Sequence, residues 1–212
     1  MKILSVKPQK PPLYRVAFDN GKAVLLDASI VWDFDLREDT ELDEVRFREI
    51  IRAAVSLKVY SYAVKRLFYR DYSAAEMLDK LAEEFRSKEI CRQVVERLTA
   101  EGSINDERYA DRLAYKYIAV KRYGRQRVLR ELRSRGISRF TAEDAVSRYE
   151  EKFPENLSHL LGTKYSRILT DKKDMKAVNR VKSSLARYGY GFAEINRAVN
   201  EYFITKDQLE EH

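Results

Sequence analysis

The first 35 residues of the chain show the short apolar and polar runs that are typical of β-strands. The run "LYRVAF" is followed by "DNG" and "KAVLLDA", which predicts a hairpin because Asn-Gly favours the tight turn between two strands. The preceding run "KILSVKP" predicts a third strand. From about Asp43 onward the apolar spacing becomes helical, and the acids of "LREDTELDEV" suit a helix start.

The helical part of the chain repeats. Leu81, Leu132 and Leu185 align at spacings of 51 and 53 residues. Equivalent positions before and after each leucine are also apolar or small, at Met77, Val128 and Val181, at Val94, Ala145 and Ala198, and at Val95, Val146 and Val199. Each unit fits three helices, and in two of them a glycine four residues after the leucine predicts a helix C-terminus.

These patterns predict a mostly α fold with three tandem three-helix repeats in an elongated curved array and a small N-terminal β-hairpin or sheet. We divide the chain into a β-like segment (1–42), a first repeat (43–101), a basic second repeat (102–151), and a third repeat with a C-terminal tail (152–212). The polar stretch "EEKFPENLS" (150–158) is the predicted linker between the second and third repeats.

Composition agrees with a helical protein, since there are only 7 Gly and 4 Pro in 212 residues. No apolar run approaches the roughly 18 residues of a membrane span, and the start of the chain lacks a signal-peptide pattern. The single cysteine, Cys91, suits a reducing compartment. We therefore expect a cytoplasmic protein that does not interact with membranes.

The positive charge is concentrated in one segment. Residues 102–140 carry 11 Lys or Arg against 4 Asp or Glu. The excess of bases over acids in this segment equals the net charge of +7 of the whole chain. Arg108–Arg135 contains eight Arg and two Lys, and the planar guanidinium favours bidentate contacts with carboxylate or phosphate. This asymmetry predicts an acidic or polyanionic partner, although the residues do not decide between the two anions.

The sequence contains no pattern that indicates an enzyme. It has neither a GxxxxGK[ST] loop nor a GxGxxG loop, and two histidines with one cysteine cannot make a zinc site of normal spacing. We therefore expect no catalytic residues, no metal and no cofactor.

The basic segment supplies the candidate binding residues. A helix from about 106 to 122 would bury Ala110, Leu113, Ala114, Tyr117 and Ile118, and a second helix would bury Val128, Leu129 and Leu132. The bases on the remaining surfaces are the candidate contacts, namely Arg108, Arg112, Lys116, Lys121, Arg122, Arg125, Arg127, Arg130, Arg133 and Arg135. Three tyrosines among them could contact a partner or pack internally: Tyr109, Tyr115 and Tyr123. The alternative is an ordinary solvated face, but such a face usually mixes signs of charge.

Three motifs resemble the RecX family of bacterial recombination regulators. The first repeat has "RDYSAAEMLDKL", similar to the family's R-x-x-S-x-x-E-L-x-x-K-L with methionine for one leucine. The second repeat has the most diagnostic stretches, "GSINDERYA" and "YGRQRVLRELRSRGI". The third repeat has "LARYGYGFAEI", in which Tyr190 replaces the usual phenylalanine. The resemblance covers roughly residues 60–205.

The resemblance implies a function as well as a fold of three tandem three-helix units. RecX-like proteins bind the RecA filament on single-stranded DNA in its helical groove. They inhibit its ATPase, strand-exchange and co-protease activities, and so modulate recombination, DNA repair and the SOS response. We therefore expect the RecA filament as partner, single- or double-stranded DNA as a further partner, and a monomeric chain. The alternative is a stand-alone DNA-binding helical module that acts without RecA.

Overall fold

A computed structural model of the chain describes residues 1–210. Its N-terminal part is an antiparallel sheet in the order β1-β2-β3, formed by Ile3–Pro8, Leu13–Phe18 and Ala23–Asp27. Gly21 lies in the β2–β3 turn with a φ of +76°, a conformation that glycine adopts without steric cost. Both the predicted hairpin and the third strand are confirmed. The β-like segment is shorter than expected, because Ala28–Asp33 forms helix α1, capped by the Asp27 carboxylate.

Nine further helices follow α1 in the described residues, and their order matches three helices per repeat. The first repeat contains α2 (Glu44–Tyr69), α3 (Ala74–Glu84) and α4 (Lys88–Ala100). The second contains α5 (Asp106–Tyr115), α6 (Arg125–Arg133) and α7 (Arg139–Ser147). The third contains α8 (Lys152–Gly162), α9 (Met175–Tyr188) and α10 (Phe192–Glu210). The mostly α fold class with a small N-terminal sheet is confirmed.

Side-chain caps mark the starts of α3 and α5. The Glu76 N–H donates to Ser73 Oγ at 3.0 Å and the Ser73 N–H donates to Glu76 Oε2 at 3.3 Å, which is a reciprocal capping box. The Asn105 side chain accepts the Arg108 N–H at 2.8 Å at the start of α5. Each cap satisfies a backbone donor that has no partner within its helix.

The aligned leucines of the three repeats are core residues. Leu81, Leu132 and Leu185 are all fully buried. Gly136 and Gly189, four residues after two of them, have φ angles of +76° and +97° and end the preceding helices as predicted.

The predicted linker at 150–158 is wrong, because these residues run into α8 and enter the core. Phe153, Asn156 and Leu157 are buried. Pro154 lies in the first turn of α8, where a missing N–H removes no intrahelical hydrogen bond. The longest irregular segment near this point lies instead between α8 and α9.

The chain divides into two compact units. The first comprises Met1–Arg70 and Leu78–Leu98, and the second comprises Asp71–Met77 and the chain from Thr99 onward. In the first unit, buried side chains of the sheet, α1 and the start of α2 form one apolar cluster. In the second unit, a single cluster runs from α5 to α10, so the second and third repeats share a core. The four-segment division of the sequence analysis remains a prediction. No helix within residues 1–210 is both long and apolar enough to cross a membrane.

Candidate anion-binding surface

Helix α5 separates the apolar and basic residues of the second repeat onto opposite faces. The inward residues of α5 and of the turn that follows it are buried as predicted, at Ala110, Leu113, Ala114, Tyr117 and Ile118. The outward bases of the same stretch are exposed, at Arg108, Arg112 and Lys116. The helix does not continue regularly to residue 122, because Lys116–Val120 forms a π-helical turn. Asn156 of α8 donates to the Ile118 carbonyl inside this turn at 2.9 Å, so the carbonyl is satisfied from the third repeat.

Helix α6 presents a second set of bases. Val128 and Leu132 are fully buried and Leu129 is partly buried, as expected. Arg130 and Arg133 lie in the last turn and are exposed. Cations at this end of a helix are favoured by the helix dipole.

Five exposed bases of the second repeat have no carboxylate partner among the side chains that the structure describes. These are Arg108, Lys116, Lys121, Arg130 and Arg133. Their charges are not compensated by ion pairs in the described chain. They are the part of the predicted surface that is best placed to attract an external anion.

Some cations of the basic segment are paired with carboxylates that lie outside it. The segment itself is poor in acids, but carboxylates from distant parts of the sequence pair with three of its arginines, and Arg139 pairs with the nearby Glu143. The distant pairs are Arg112 with Asp71, Arg125 with Glu150, and Arg135 with Glu76 at 2.9 Å. These carboxylates are 25 to 59 residues away in sequence, so local composition does not reveal them.

Arg135 and Tyr109 belong to a packed polar network. Arg135 Nη1 donates to Glu76 Oε1 at 2.9 Å and to Tyr109 Oη at 3.1 Å, and Ser73 Oγ donates to the Arg135 carbonyl at 2.5 Å. Tyr109 is only 7% exposed, and burial, reinforced by Glu76, raises the pKa of its phenol. Of the two roles predicted for Tyr109, its burial supports internal packing.

The other two predicted tyrosines differ in exposure. Tyr115 is 55% exposed and its ring lies 6.3 Å from that of Tyr149. Tyr123 is partly buried and stacks on Tyr117 with ring centroids 5.9 Å apart. Of these two, Tyr115 presents more of its ring to solvent.

Tyr123 also contacts the third repeat. Its ring meets that of Tyr188 edge to face at 5.9 Å, and the guanidinium carbon of Arg127 lies 3.7 Å from its centroid. We call Tyr117, Tyr123 and Tyr188 the tyrosine seam. Arg127 is thus held against an aromatic face rather than projecting freely, and this cation–π contact fixes its position.

The turn before α6 is locked against the end of α9. The Gly124 N–H donates to the Tyr188 carbonyl at 2.8 Å, and the Gln126 N–H donates to the Gly189 carbonyl at 3.1 Å. A Cβ on Gly124 would lie 2.4 Å from the Gly189 carbonyl carbon. Only glycine fits at this approach of two backbones.

The chemistry that this surface offers is anion binding. Its exposed cations can form charge-assisted hydrogen bonds with carboxylates or phosphates. Among the described residues, no group of three or more His, Cys, Asp or Glu is placed to hold a metal ion.

Similarity to known proteins centres on this region. The family model described as RecX, second three-helix domain, matches residues 105–146, which span α5, α6 and nearly all of α7. A regulatory protein RecX of Trichlorobacter lovleyi is 32% identical over 136 residues, covering 62% of this chain and 86% of the relative. The chain belongs to the RecX family.

Other RecX proteins match more of the chain at lower identity. The regulatory protein RecX of Clostridioides difficile is 25% identical over 184 residues, 86% of each chain. The RecX of Bacillus subtilis is 26% identical over 209 residues, covering 97% of this chain and 78% of the relative. A crystal structure of regulatory protein RecX shares the fold, with a TM-score of 0.77 at 23% identity over 94% of this chain and 98% of that one. These relatives are named as regulatory proteins.

Sequence reasoning missed the contribution of the third repeat to this RecX surface. Tyr188 meets Tyr123, and Lys164 donates to Tyr188 Oη at 2.6 Å. Neither residue lies in the basic segment. The "RYGYG" motif indicates that α9 ends at a glycine, but it does not indicate that Tyr188 contacts Tyr123.

Proposed function

We propose that this chain binds the RecA filament on single-stranded DNA in its groove and inhibits the ATPase, strand-exchange and co-protease activities of RecA. In this way it modulates recombination and DNA repair. It acts by binding, as a monomer in the cytoplasm, and carries out no reaction of its own. Family membership supports RecA as the partner. The observation that supports the binding surface is the set of five exposed bases without a carboxylate partner, at Arg108, Lys116, Lys121, Arg130 and Arg133.

The proposal predicts that the chain slows the ATPase of RecA on single-stranded DNA. Arg130→Gln with Arg133→Gln removes two of the uncompensated charges while leaving the buried side of α6 unchanged. Because a hydrogen bond to a charged group contributes about 1.5–3 kcal/mol, the concentration needed for half inhibition is expected to rise at least about tenfold.

A matched control removes two exposed lysines from the N-terminal part, with Lys10→Gln and Lys22→Gln. This variant has the same net charge as the arginine variant and is expected to inhibit like the unchanged chain. Equal inhibition by the two double variants would show that the α6 arginines are not the contact. No inhibition by the unchanged chain would contradict the proposed function itself.

The alternative, a DNA-binding module that works without RecA, is distinguished by adding free single-stranded DNA. Competition for DNA predicts that a large excess of DNA abolishes inhibition. Binding to the filament predicts that inhibition persists when the ratio of chain to RecA is held constant. Salt dependence alone does not separate the two, since both partners are charged.

A further inference from the structure

The tyrosine seam carries cations from both the second and the third repeat. Lys121 Nζ lies 5.4 Å from the Tyr117 ring centroid and 5.7 Å from that of Tyr123. Lys164 Nζ lies 4.5 Å from the Tyr188 centroid and donates to its hydroxyl at 2.6 Å. This hydrogen bond raises the pKa of Lys164, which keeps the side chain charged. The rings therefore position cations without neutralising them.

Arg122 lies at the same place in a strained backbone conformation. Its φ of +53° is in the left-handed region, where glycine is the usual residue at a helix end. Two hydrogen bonds fix the turn: Tyr190 Oη donates to the Arg122 carbonyl at 3.0 Å, and the Tyr123 N–H donates to the Tyr117 carbonyl at 2.9 Å. Non-glycine residues in such conformations cluster at functional sites, where the surrounding structure holds them in place. The conformation therefore makes Arg122 a candidate functional residue.

None of these three cations has a carboxylate partner in the described chain. Lys121 and Lys164 are exposed and Arg122 is partly exposed. Together they form a surface that we call the cationic edge: Lys121, Arg122 and Lys164. The edge is continuous across the repeats because Tyr123 and Tyr188 are in contact.

The rings of the seam are poor platforms for nucleic-acid bases. Proteins that bind single strands stack bases on open aromatic faces. Here Tyr123 is stacked on Tyr117 and covered by Arg127 at 3.7 Å, and Lys164 lies over Tyr188. The seam presents ring-held cations and no open ring face of Tyr123. This arrangement favours carboxylates of a protein over an unstacked nucleic-acid strand.

We propose that the cationic edge docks on an acidic protein surface and brings the third repeat into the contact, with Arg122 and Lys164 as recognition residues. This inference rests on the proposed function, in which the protein surface is that of the RecA filament. The strain at Arg122 and the contact between Tyr123 and Tyr188 are its structural basis.

The test compares binding to RecA filaments preassembled on single-stranded DNA. Arg122→Gly removes the charge and the backbone strain together, so the melting temperature is expected to stay the same or rise while affinity falls at least about fivefold. If Arg122 has only a structural role, the folded Arg122→Gly variant binds the filaments as tightly as the unchanged chain does. Asp35→Gly is the backbone control, because Asp35 has a φ of +48° in the N-terminal part and no place in the edge.

Lys164→Gln gives a second measurement that does not depend on the turn. It is expected to lower filament affinity by a similar factor, whereas Lys172→Gln, an exposed lysine of the same repeat, leaves affinity unchanged. If the unchanged chain binds filaments and both Arg122→Gly and Lys164→Gln bind equally well, the cationic edge is refuted and the proposed function stands. If the unchanged chain fails to bind, the proposed function fails and the edge with it.

A labelled single-stranded oligonucleotide without RecA identifies the anion. Less than about twofold change in its affinity on either substitution supports carboxylate docking. A loss in proportion to the loss of filament affinity would show that the edge contacts phosphate, and would overturn the assignment to a protein surface.

Discussion

Tyr190 is a phenol inside the apolar core of the second unit, with its hydroxyl bonded to the Arg122 carbonyl at 3.0 Å. Burial raises the pKa of this phenol well above its usual range, and the nearby Glu194 carboxylate adds to the shift. The hydroxyl therefore stays protonated in the folded chain and keeps the left-handed turn in place. One buried hydrogen bond thus supports the conformation of a surface arginine.

We predict that Tyr190→Phe lowers the free energy of unfolding at neutral pH by about 0.5–1.5 kcal/mol, the net contribution of one hydrogen bond. This difference from the unchanged chain is expected to persist up to about pH 10, the usual pKa of tyrosine. At higher pH the unfolded chain ionises the phenol while the folded chain does not, so the advantage of tyrosine declines. Urea unfolding at pH 7 and at a pH about half a unit above 10 measures this decline. A difference that stays constant with pH would contradict the raised pKa.

At the scale of elements, backbone N–H groups at the start of α6 donate hydrogen bonds to backbone carbonyls at the end of α9. The first N–H groups of a helix and its last carbonyls have no partners within the helix. Here Gly124 and Gln126 donate their N–H groups to the carbonyls of Tyr188 and Gly189. The approach is close enough to exclude any side chain at Gly124.

The substitution Gly124→Ala is expected to lower the free energy of unfolding by about 2 kcal/mol or more, because the two backbones must separate to admit a methyl group. Gly162→Ala is the matched control: nothing lies within 4 Å of the position that its added methyl group would occupy, and it ends α8 at an ordinary φ. That change is expected to be neutral or to stabilise the chain by up to about 1 kcal/mol. Thermal and urea unfolding of both variants provides the comparison, and equal stabilities would disprove the close approach.

Elements governed by local chemistry are predictable from the sequence, and this explains which predictions are confirmed. The turn between β2 and β3 at Gly21 and the glycine end of α9 at Gly189 involve residues within a few positions of each other. The linker prediction is wrong because a proline in the first turn of a helix looks like a break in sequence but costs no hydrogen bond. The π-helical turn at Lys116–Val120 has no local signature, since it is supported by Asn156 from another repeat.

At the scale of the whole molecule, the two compact units do not follow the repeats. The start of the first repeat's second helix groups with the second unit, as the segment Asp71–Met77. Ser73 is fully buried, and it caps α3 and donates to the Arg135 carbonyl at 2.5 Å. Repeat spacing cannot predict this grouping, because the contact joins residues 62 positions apart.

Ser73→Ala is therefore predicted to destabilise the second unit. The change removes a helix cap worth about 0.5–2 kcal/mol and a hydrogen bond to a carbonyl, and we expect a total loss of about 2–3 kcal/mol. Hydrogen exchange is expected to quicken at the start of α3 and the end of α6, with no change in the N-terminal sheet. Ser61→Ala, at an exposed position of α2, is the control and is expected to leave stability nearly unchanged. Uniform exchange changes in both units would contradict this local role.

The number of cations available on the candidate binding surface depends on contacts between distant parts of the sequence. The segment 102–140 is the source of the excess charge, as its composition indicates, but three of its arginines are paired with the sequence-distant carboxylates Asp71, Glu150 and Glu76. Such pairing depends on tertiary contacts, so composition overestimates the number of available cations. The contact of Lys164 with Tyr188 is not visible in the composition for the same reason.

The meeting of α9 and α6 also has an electrical consequence. The C-terminal end of a helix is the negative pole of its dipole and the N-terminal end is the positive pole, each equivalent to about half a unit charge. Where α9 ends against α6, opposite poles lie together and their fields largely cancel. The positive charge at Lys121 and Arg122 is therefore carried by their side chains, with little contribution from these two helix ends. Substituting those side chains removes that charge directly, so any loss of filament affinity measures the electrostatic attraction of the cationic edge.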